Sequence, residues 1–202
     1  MKKESGSNSY NEKHIDEKYL ANKDFIQSLS NANTLLDVYC GVNSYWKNNY
    51  FDLEVTTNDS NEDIPADYHY DAFKLLCHLY YEGKKFDVID LDPFGSAYEN
   101  FDLAIRMAKK GLIITFGEIG HKRWKRLDFV NKRYDIHSIE DFTVEKLVEE
   151  VVRKGKQHKK LLTPVIIKNF HQISRVYFVI SPYKETSQWE NNTGVLKNSV
   201  QS

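Results

Sequence analysis

The 202 residues predict a single α/β domain: a mostly parallel, doubly wound sheet that ends in an antiparallel hairpin. Three observations carry that expectation. Between Thr34 and Phe116, short apolar runs alternate with helical stretches, the βαβ pattern that builds parallel sheets. Two later runs, Pro164–Phe170 and Arg175–Ile180, are separated by four residues, too short a link for a parallel crossover. Finally, the apolar run from Phe86 is broken by Asp92-Pro93-Phe94-Gly95. Proline cannot continue an interior strand, and glycine permits a sharp turn. The break leaves a carboxylate and an aromatic ring at the C-terminal end of a strand, the edge where open α/β sheets bind ligands.

Composition narrows the class. Hydrophobic content of 41% with 13% aromatic residues indicates a globular chain with a full core. Polar Met1–Lys13 is expected to be a disordered tail, residues 14–182 the single domain, and residues 183–202 a flexible tail. No apolar run approaches the ~20 residues needed to span a membrane. Two cysteines, Cys40 and Cys77, without a secretory leader suggest a reducing cytoplasm, and neither has metal-ligand spacing, so no metal is expected. Net charge is only −1, but its distribution is uneven. Residues 50–104 carry 13 acidic against 3 basic side chains, and residues 105–160 carry 15 basic against 8 acidic. That asymmetry is compatible with a basic face for phosphates beside an acidic half, or with two ordinary solvated surfaces.

The elements follow in order. His14–Leu29 reads as an amphipathic helix through Ile15, Leu20, Phe25, Ile26 and Leu29. Thr34–Cys40 is the first strand, and Gly41-Val42-Asn43-Ser44 turns into a short helix reaching Tyr50. Asn43 suits a left-handed backbone conformation better than most residues. Phe51–Thr57 is the second strand, closed by Asn58-Asp59. Asp59 lies 22 residues after Asp37, near the spacing at which nucleotide-binding βαβ units place a ribose-binding carboxylate. Its two oxygens can accept from both ribose hydroxyls; Glu54 is the alternative, inside the strand. Ala66–Tyr70 reads as a short third strand. Asp71-Ala72 then opens a helix to Glu82, with Asp71 a good N-cap and Phe73, Leu76, Cys77 and Tyr80 at core spacing.

Phe86–Asp92 is the fourth strand, before the Asp92–Gly95 turn. Tyr98–Lys110 reads as a helix closed by Lys109, Lys110 and Gly111, and Leu112–Phe116 as the fifth strand. Gly117–Asp135 has no clean periodicity but contains His121-Lys122-Arg123-Trp124-Lys125-Arg126. Cations around an aromatic ring are what phosphate contacts and base stacking require together, so Lys122, Arg123, Trp124, Lys125 and Arg126 are candidate nucleic-acid contacts. A solvated basic loop with Trp124 buried is the plainer reading. Thr143–Gly155 is strongly amphipathic through Val144, Leu147, Val148, Val151 and Val152, and a second basic run, Arg153–Lys160, leads into the terminal hairpin.

Acidic-Pro-aromatic turns at this strand end resemble those of class I S-adenosylmethionine-dependent methyltransferases that modify exocyclic amino groups of bases. Asp92-Pro93-Phe94-Gly95 in particular is similar to the N2-guanine tRNA dimethyltransferase family. Amino-methylating DNA enzymes usually carry a second proline, which is missing here. The resemblance implies a Rossmann-like fold and S-adenosylmethionine as cofactor. It implies that Asp92 accepts from the target amino group, that Phe94 stacks on the base, and that Pro93 and Gly95 shape the turn. Asp37, Tyr39, Gly41 and Asn43 occupy the first methyltransferase motif, acidic-x-Gly-x-Gly-x-Gly, of which only Asp37 and Gly41 are kept. Asp59, Asp71 and Ala72 fall where the family holds ribose and adenine. RNA or DNA is then the expected partner. Two other readings stay open: a small-molecule or protein N-methyltransferase, and a nucleic-acid-binding module that keeps the fold without transfer.

Overall fold

The computed structural model describes residues 8–50, 52–122, 125–170 and 172–183. Six strands form one sheet in the order β2-β1-β3-β4-β6-β5: β1 is Thr34–Asp37, β2 Glu54–Thr57, β3 Phe86–Leu91, β4 Ala108–Phe116, β5 Lys160–Phe170 and β6 Ile173–Pro182. β1 to β4 are mutually parallel. β6 runs antiparallel to β4, and β5 antiparallel to β6. The expected doubly wound sheet with a terminal antiparallel hairpin is therefore present.

Side-chain alternation along the strands divides the core in two. Leu35, Val88, Ile113 and Tyr177 face α1 (Asn8–Ser28) and α2 (Tyr45–Asn49), packing on Ala21, Phe25 and Trp46. Their neighbours Leu36, Ile89, Leu112, Ile114 and Phe178 face the larger cluster. That cluster is covered by α3 (Ala72–Tyr81), α4 (Phe101–Met107), α6 (Asp128–Tyr134) and α7 (Val144–Gln157). A four-residue helix, α5 (Ile119–Lys122), follows β4. In α7, Thr143 caps the N-terminus by accepting from the Lys146 amide at 3.4 Å, and Leu147, Val148 and Val151 are buried as the stripe predicts.

Four expectations are corrected. The first helix starts at Asn8, inside the stretch read as a tail. Ala66–Tyr70 is not a strand; only an isolated bridge joins Asn58 to Tyr68. The buried Asn58 side chain holds this loop instead, accepting from the Tyr70 amide at 3.0 Å and donating to the Tyr70 carbonyl at 3.1 Å. The helix after the Asp92–Gly95 turn ends at Met107, because Ala108 is extended and already in β4. Lys109 and Lys110 therefore sit in a strand and pair with buried Asp87, and Gly111 is a strand residue. Its missing side chain admits the Phe25 ring, which would lie 2.9 Å from a Cβ. In α3 the core stripe is Ala72, Leu75, Leu76 and Leu79, while Phe73, Cys77 and Tyr80 are exposed. Both sets have helical spacing in this apolar helix, so periodicity alone could not choose between them.

Candidate active site

The C-terminal ends of β1, β2 and β3 gather most of the predicted residues. Alternation places Asp37 on the same face as Leu35, and Asp90 and Asp92 on the same face as Val88. β6 brings Arg175 and Tyr177 to that face, and α1 covers it with Lys18 and Asn22. The result is a buried polar network. Arg175, 1% exposed, donates to Asp90 Oδ2 at 2.6 Å, Thr115 Oγ1 at 2.8 Å and Asn22 Oδ1 at 3.2 Å. Trp46 Nε1 donates to the same Asp90 oxygen at 2.6 Å. Asp92 is held by the Lys18 ammonium on one oxygen, and Arg175 Nη1 lies 3.6 Å from the other.

These contacts set opposite protonation tendencies. Burial would push the Asp92 carboxyl up, but Lys18 and Arg175 outweigh it and hold the group well below the usual carboxylate range. Asp37 is pushed well above that range, first by burial and then by the negative charges of Asp90 and Asp92. Three carboxyl groups thus face two cations, so ionisation of Asp37 would make room for one more positive charge.

The first turn has its own geometry. Gly41 adopts φ 61° with open space around it, and its amide donates to Asp59 Oδ2 at 3.1 Å. Asp59 Oδ1 accepts from the Asn61 amide at 2.9 Å, so each oxygen keeps a lone pair. Ser44, not Asn43, takes the left-handed conformation at φ 37°; Asn43 is exposed, and its carbonyl accepts from Asn48 at 2.8 Å. Tyr39 stands at a family glycine position. Its hydroxyl accepts from buried Asn100 at 2.7 Å, and burial pushes it up to about 12. Asp71 caps α3 through Oδ1 alone, accepting from Phe73 and Lys74 amides at 3.1 and 3.3 Å, which leaves Oδ2 free. Ala72 is buried behind it. A surplus of carboxylate, an open glycine turn and acidic side chains closing β2 and opening α3 fit S-adenosylmethionine, a cation with ribose hydroxyls and an adenine amino group.

Phe94 in the Asp92–Gly95 turn is fully exposed. The turn is braced from behind. Gly117 lies so close that a Cβ there would be 2.4 Å from the Gly95 carbonyl oxygen. Ser96 donates to buried Glu118 at 2.5 Å, and Tyr134 donates to the same oxygen at 2.7 Å. Burial raises the Glu118 carboxyl, which favours the neutral acid.

Lys18, Arg175, Asn100 and Glu118 carry no sequence signal that marks them as part of the site. Lys18 is 74 residues from Asp92, and no local pattern links them. Of the basic loop, Arg123 and Trp124 lie outside the described residues. Lys122 donates to the Phe142 carbonyl at 2.8 Å, Lys125 is exposed at φ 50°, and exposed Arg126 lies 3.6 Å from Asp128. A separate cavity of about 560 Å³, lined by Val42, Ser44, Lys47, Ile64, Pro65 and His69, includes none of the predicted site residues.

Comparisons with known proteins bear on the family and the fold. A sequence model described as N2,N2-dimethylguanosine tRNA methyltransferase matches residues 41–200, which takes in every predicted site residue except Asp37 and Tyr39. No curated protein matches. Among solved structures, Trm1 from Pyrococcus horikoshii in complex with S-adenosyl-L-methionine superposes with a TM-score of 0.66 at 18% identity. The match covers 86% of this chain and 56% of that one, so this chain spans little more than half of it. Magnesium protoporphyrin IX methyltransferase from Synechocystis PCC 6803, with bound SAH, gives 0.52 at 13% identity, covering 85% of this chain and 84% of that one. A putative SAM-dependent methyltransferase from Streptococcus mutans gives 0.54 at 10%, covering 82% and 49%. The fold is that of the class I methyltransferases. With a family match over most of its length and a buried acidic edge leading into an Asp-Pro-Phe-Gly turn, the chain belongs to the N2,N2-dimethylguanosine tRNA methyltransferase family.

Proposed function

We propose that the protein is an S-adenosylmethionine-dependent methyltransferase acting on an exocyclic amino group of an RNA base, with guanine N2 in tRNA as the target its family suggests. The observation that carries this reading is the pairing at the end of β3: an anionic carboxylate, Asp92, beside a fully exposed ring, Phe94. A base laid on Phe94 presents its amino group to Asp92. The carboxylate accepts an N–H, turns the nitrogen lone pair toward the donor, and offsets the positive charge that grows on nitrogen.

Bound S-adenosylmethionine supplies an electrophilic methyl group on a sulfonium. The amino lone pair would form the new N–C bond as the sulfonium S–C bond is given up, and the surplus proton would leave the nitrogen for water. Asp92 is held too acidic to keep that proton, so its work is orientation and charge compensation. Most of the acceleration comes from holding the two reactants in line, an effect worth up to ~7–11 kcal/mol. Asp59 would hold the ribose hydroxyls, Asp71 Oδ2 the adenine amino group, and Asp37 the cationic amino-acid end. Because the target must leave its stack to reach Phe94, an unpaired or loosely paired base is favoured.

Transfer of labelled methyl to unmodified tRNA and unmethylated DNA, with Asp92→Ala in parallel, tests the proposal. Label should enter the tRNA and fall at least about 100-fold in the variant, the scale for losing one orienting and charge-compensating group. Label surviving Asp92→Ala removes Asp92 from the chemistry. No label in either pool, and no heat on cofactor titration, would identify a module without transfer activity.

A further inference from the structure

The second basic run does not join the active-site edge. It belongs to the opposite edge of the sheet, where β3 and β4 begin and the β5–β6 hairpin has its open end, since Phe86 pairs with Ala108 and Lys160 with Pro182. Lys84 and Lys85 enter β3 there, Arg106 ends α4, and Lys156, Lys159 and Lys160 link α7 to β5. None of these six has a carboxylate partner among the described residues. The nearby acids are already engaged: Glu82 with His78, Asp87 with Lys109 and Lys110, and Asp102 with Lys154 and His158.

The crowding is close. Lys85 and Lys160 both donate to the Arg106 carbonyl, at 2.9 and 3.2 Å, and Lys160 also reaches the Ile105 carbonyl at 2.6 Å. Burial, and then the charge of Lys85, lowers Lys160 to about 8. Aromatic rings stand among these cations. Lys85 and Arg106 lie 5.3 and 5.7 Å from the Tyr80 ring centre, Lys156 lies 6.0 Å from that of Tyr183, and Tyr81 is 93% exposed. Like charges gathered without counterions repel one another, and an external anion relieves that repulsion. Clustered Lys and Arg with exposed aromatic rings form the footprint of a phosphodiester backbone.

We infer that this edge is a second RNA-binding surface, which grips backbone phosphates of the folded RNA whose base enters the site at the other edge. β3 is six residues long, so the two edges lie roughly 20 Å apart, within reach of one folded RNA. The inference rests on the proposed RNA substrate.

The test is equilibrium binding of unmodified tRNA to the full chain over a range of salt concentrations. It compares Lys84→Gln/Lys85→Gln/Lys156→Gln with a charge-matched control, Lys23→Gln/Lys132→Gln/Lys146→Gln. The edge variant should bind at least about 10-fold more weakly at ~0.1 M salt. Its slope of log affinity against log salt should be shallower by about 2, as expected for up to three lost phosphate contacts. The control should stay near wild type, and cofactor titration should show the edge variant folded. In the transfer assay, the edge variant should raise KM with kcat unchanged. Equal weakening by both variants, an unchanged slope, or no tRNA binding by the wild type overturns the inference. Methyl transfer to tRNA with an edge variant that binds like wild type would sink this surface and leave the proposed function standing. Edge-dependent tRNA binding without transfer would do the reverse.

Discussion

Asp92 and Asp37 are both carboxylates at strand ends, yet their neighbours drive them in opposite directions. Asp92 stays ionised because Lys18 and Arg175 lie against it. Its depressed pKa means that the acid limb of kcat/KM should not report Asp92 in the wild type. Replacing Lys18 by Met removes the nearer cation and raises the Asp92 pKa. The acid limb of the profile should then move to higher pH, with Lys18→Arg restoring the wild-type profile; a profile that Lys18→Met leaves in place would make Lys18 a packing residue only. Asp37 is raised, so it is protonated over a range where an ordinary aspartate is ionised. Pairing with a cationic cofactor requires the ionised form, so S-adenosylmethionine affinity should rise with pH and proton release should accompany binding. Calorimetry in buffers of different ionisation enthalpy measures that release, and Asp37→Asn should abolish it. The sequence pointed to Asp92 by its place after an apolar run, and to Asp37 by the resemblance of its stretch to the first methyltransferase motif. It could not order their pKa values, because the deciding neighbours, Lys18 and Arg175, are distant in the chain and meet only in the fold.

Turns, rather than strands or helices, set the precision of the site. The Asp92–Gly95 turn rests on the bend after β4, and Gly117 permits that contact: a methyl group there would press on the Gly95 backbone at 2.4 Å. Gly117→Ala should therefore displace the turn while leaving the cofactor edge at β1 and β2 intact. The expected result is near-normal cofactor binding by calorimetry with transfer to tRNA lowered on the order of 100-fold, the effect of misplacing a catalytic group by about 1 Å. Equal loss of cofactor binding and transfer would indicate collapse of the whole edge instead. Strand and hairpin positions were legible because alternation and a four-residue link are local signals. The end of the helix after this turn was not. Ala104, Ile105 and Ala108 continue the helical period, but α4 stops where Lys85 and Lys160 meet its last carbonyls. The α3 stripe was one residue out of register for a related reason: α3 is apolar round most of its circumference, with only Lys74 and His78 marking the solvent side, and the sheet chooses which flank is buried.

At the scale of the molecule, Arg175 joins parts that the chain order separates. It comes from the terminal hairpin, pairs with Asp90 on β3, bonds Thr115 on β4, and meets Asn22 on α1. The N-terminal helix, the parallel sheet and the antiparallel hairpin are thereby tied beneath the Asp92–Gly95 turn, so the hairpin that marks the fold also braces the proposed site. The sequence predicted the hairpin from its link but gave no hint of this tie, since Arg175 lies within an otherwise apolar strand, where a charge reads as facing solvent. Removing the cation alone leaves Asp90 charged and buried. Arg175→Met should cost about 3–5 kcal/mol, the penalty for stranding one partner of a buried pair. For a chain of this size that is roughly a 10 °C fall in Tm, at 2–4 °C per kcal/mol. Adding Asp90→Asn removes the stranded charge while its amide oxygen can still accept from Trp46. The double variant should therefore recover at least about half of the loss in urea or thermal unfolding, because much of the single-variant penalty belongs to the unpaired carboxylate rather than to the lost attraction. Recovery of stability without recovery of transfer would show that the pair is needed less to hold the fold than to hold Asp92, whose second cation is the same Arg175. A double variant as unstable as Arg175→Met would instead place the arginine's value in its bonds to Thr115 and Asn22, and hence in the clasp between helix and hairpin.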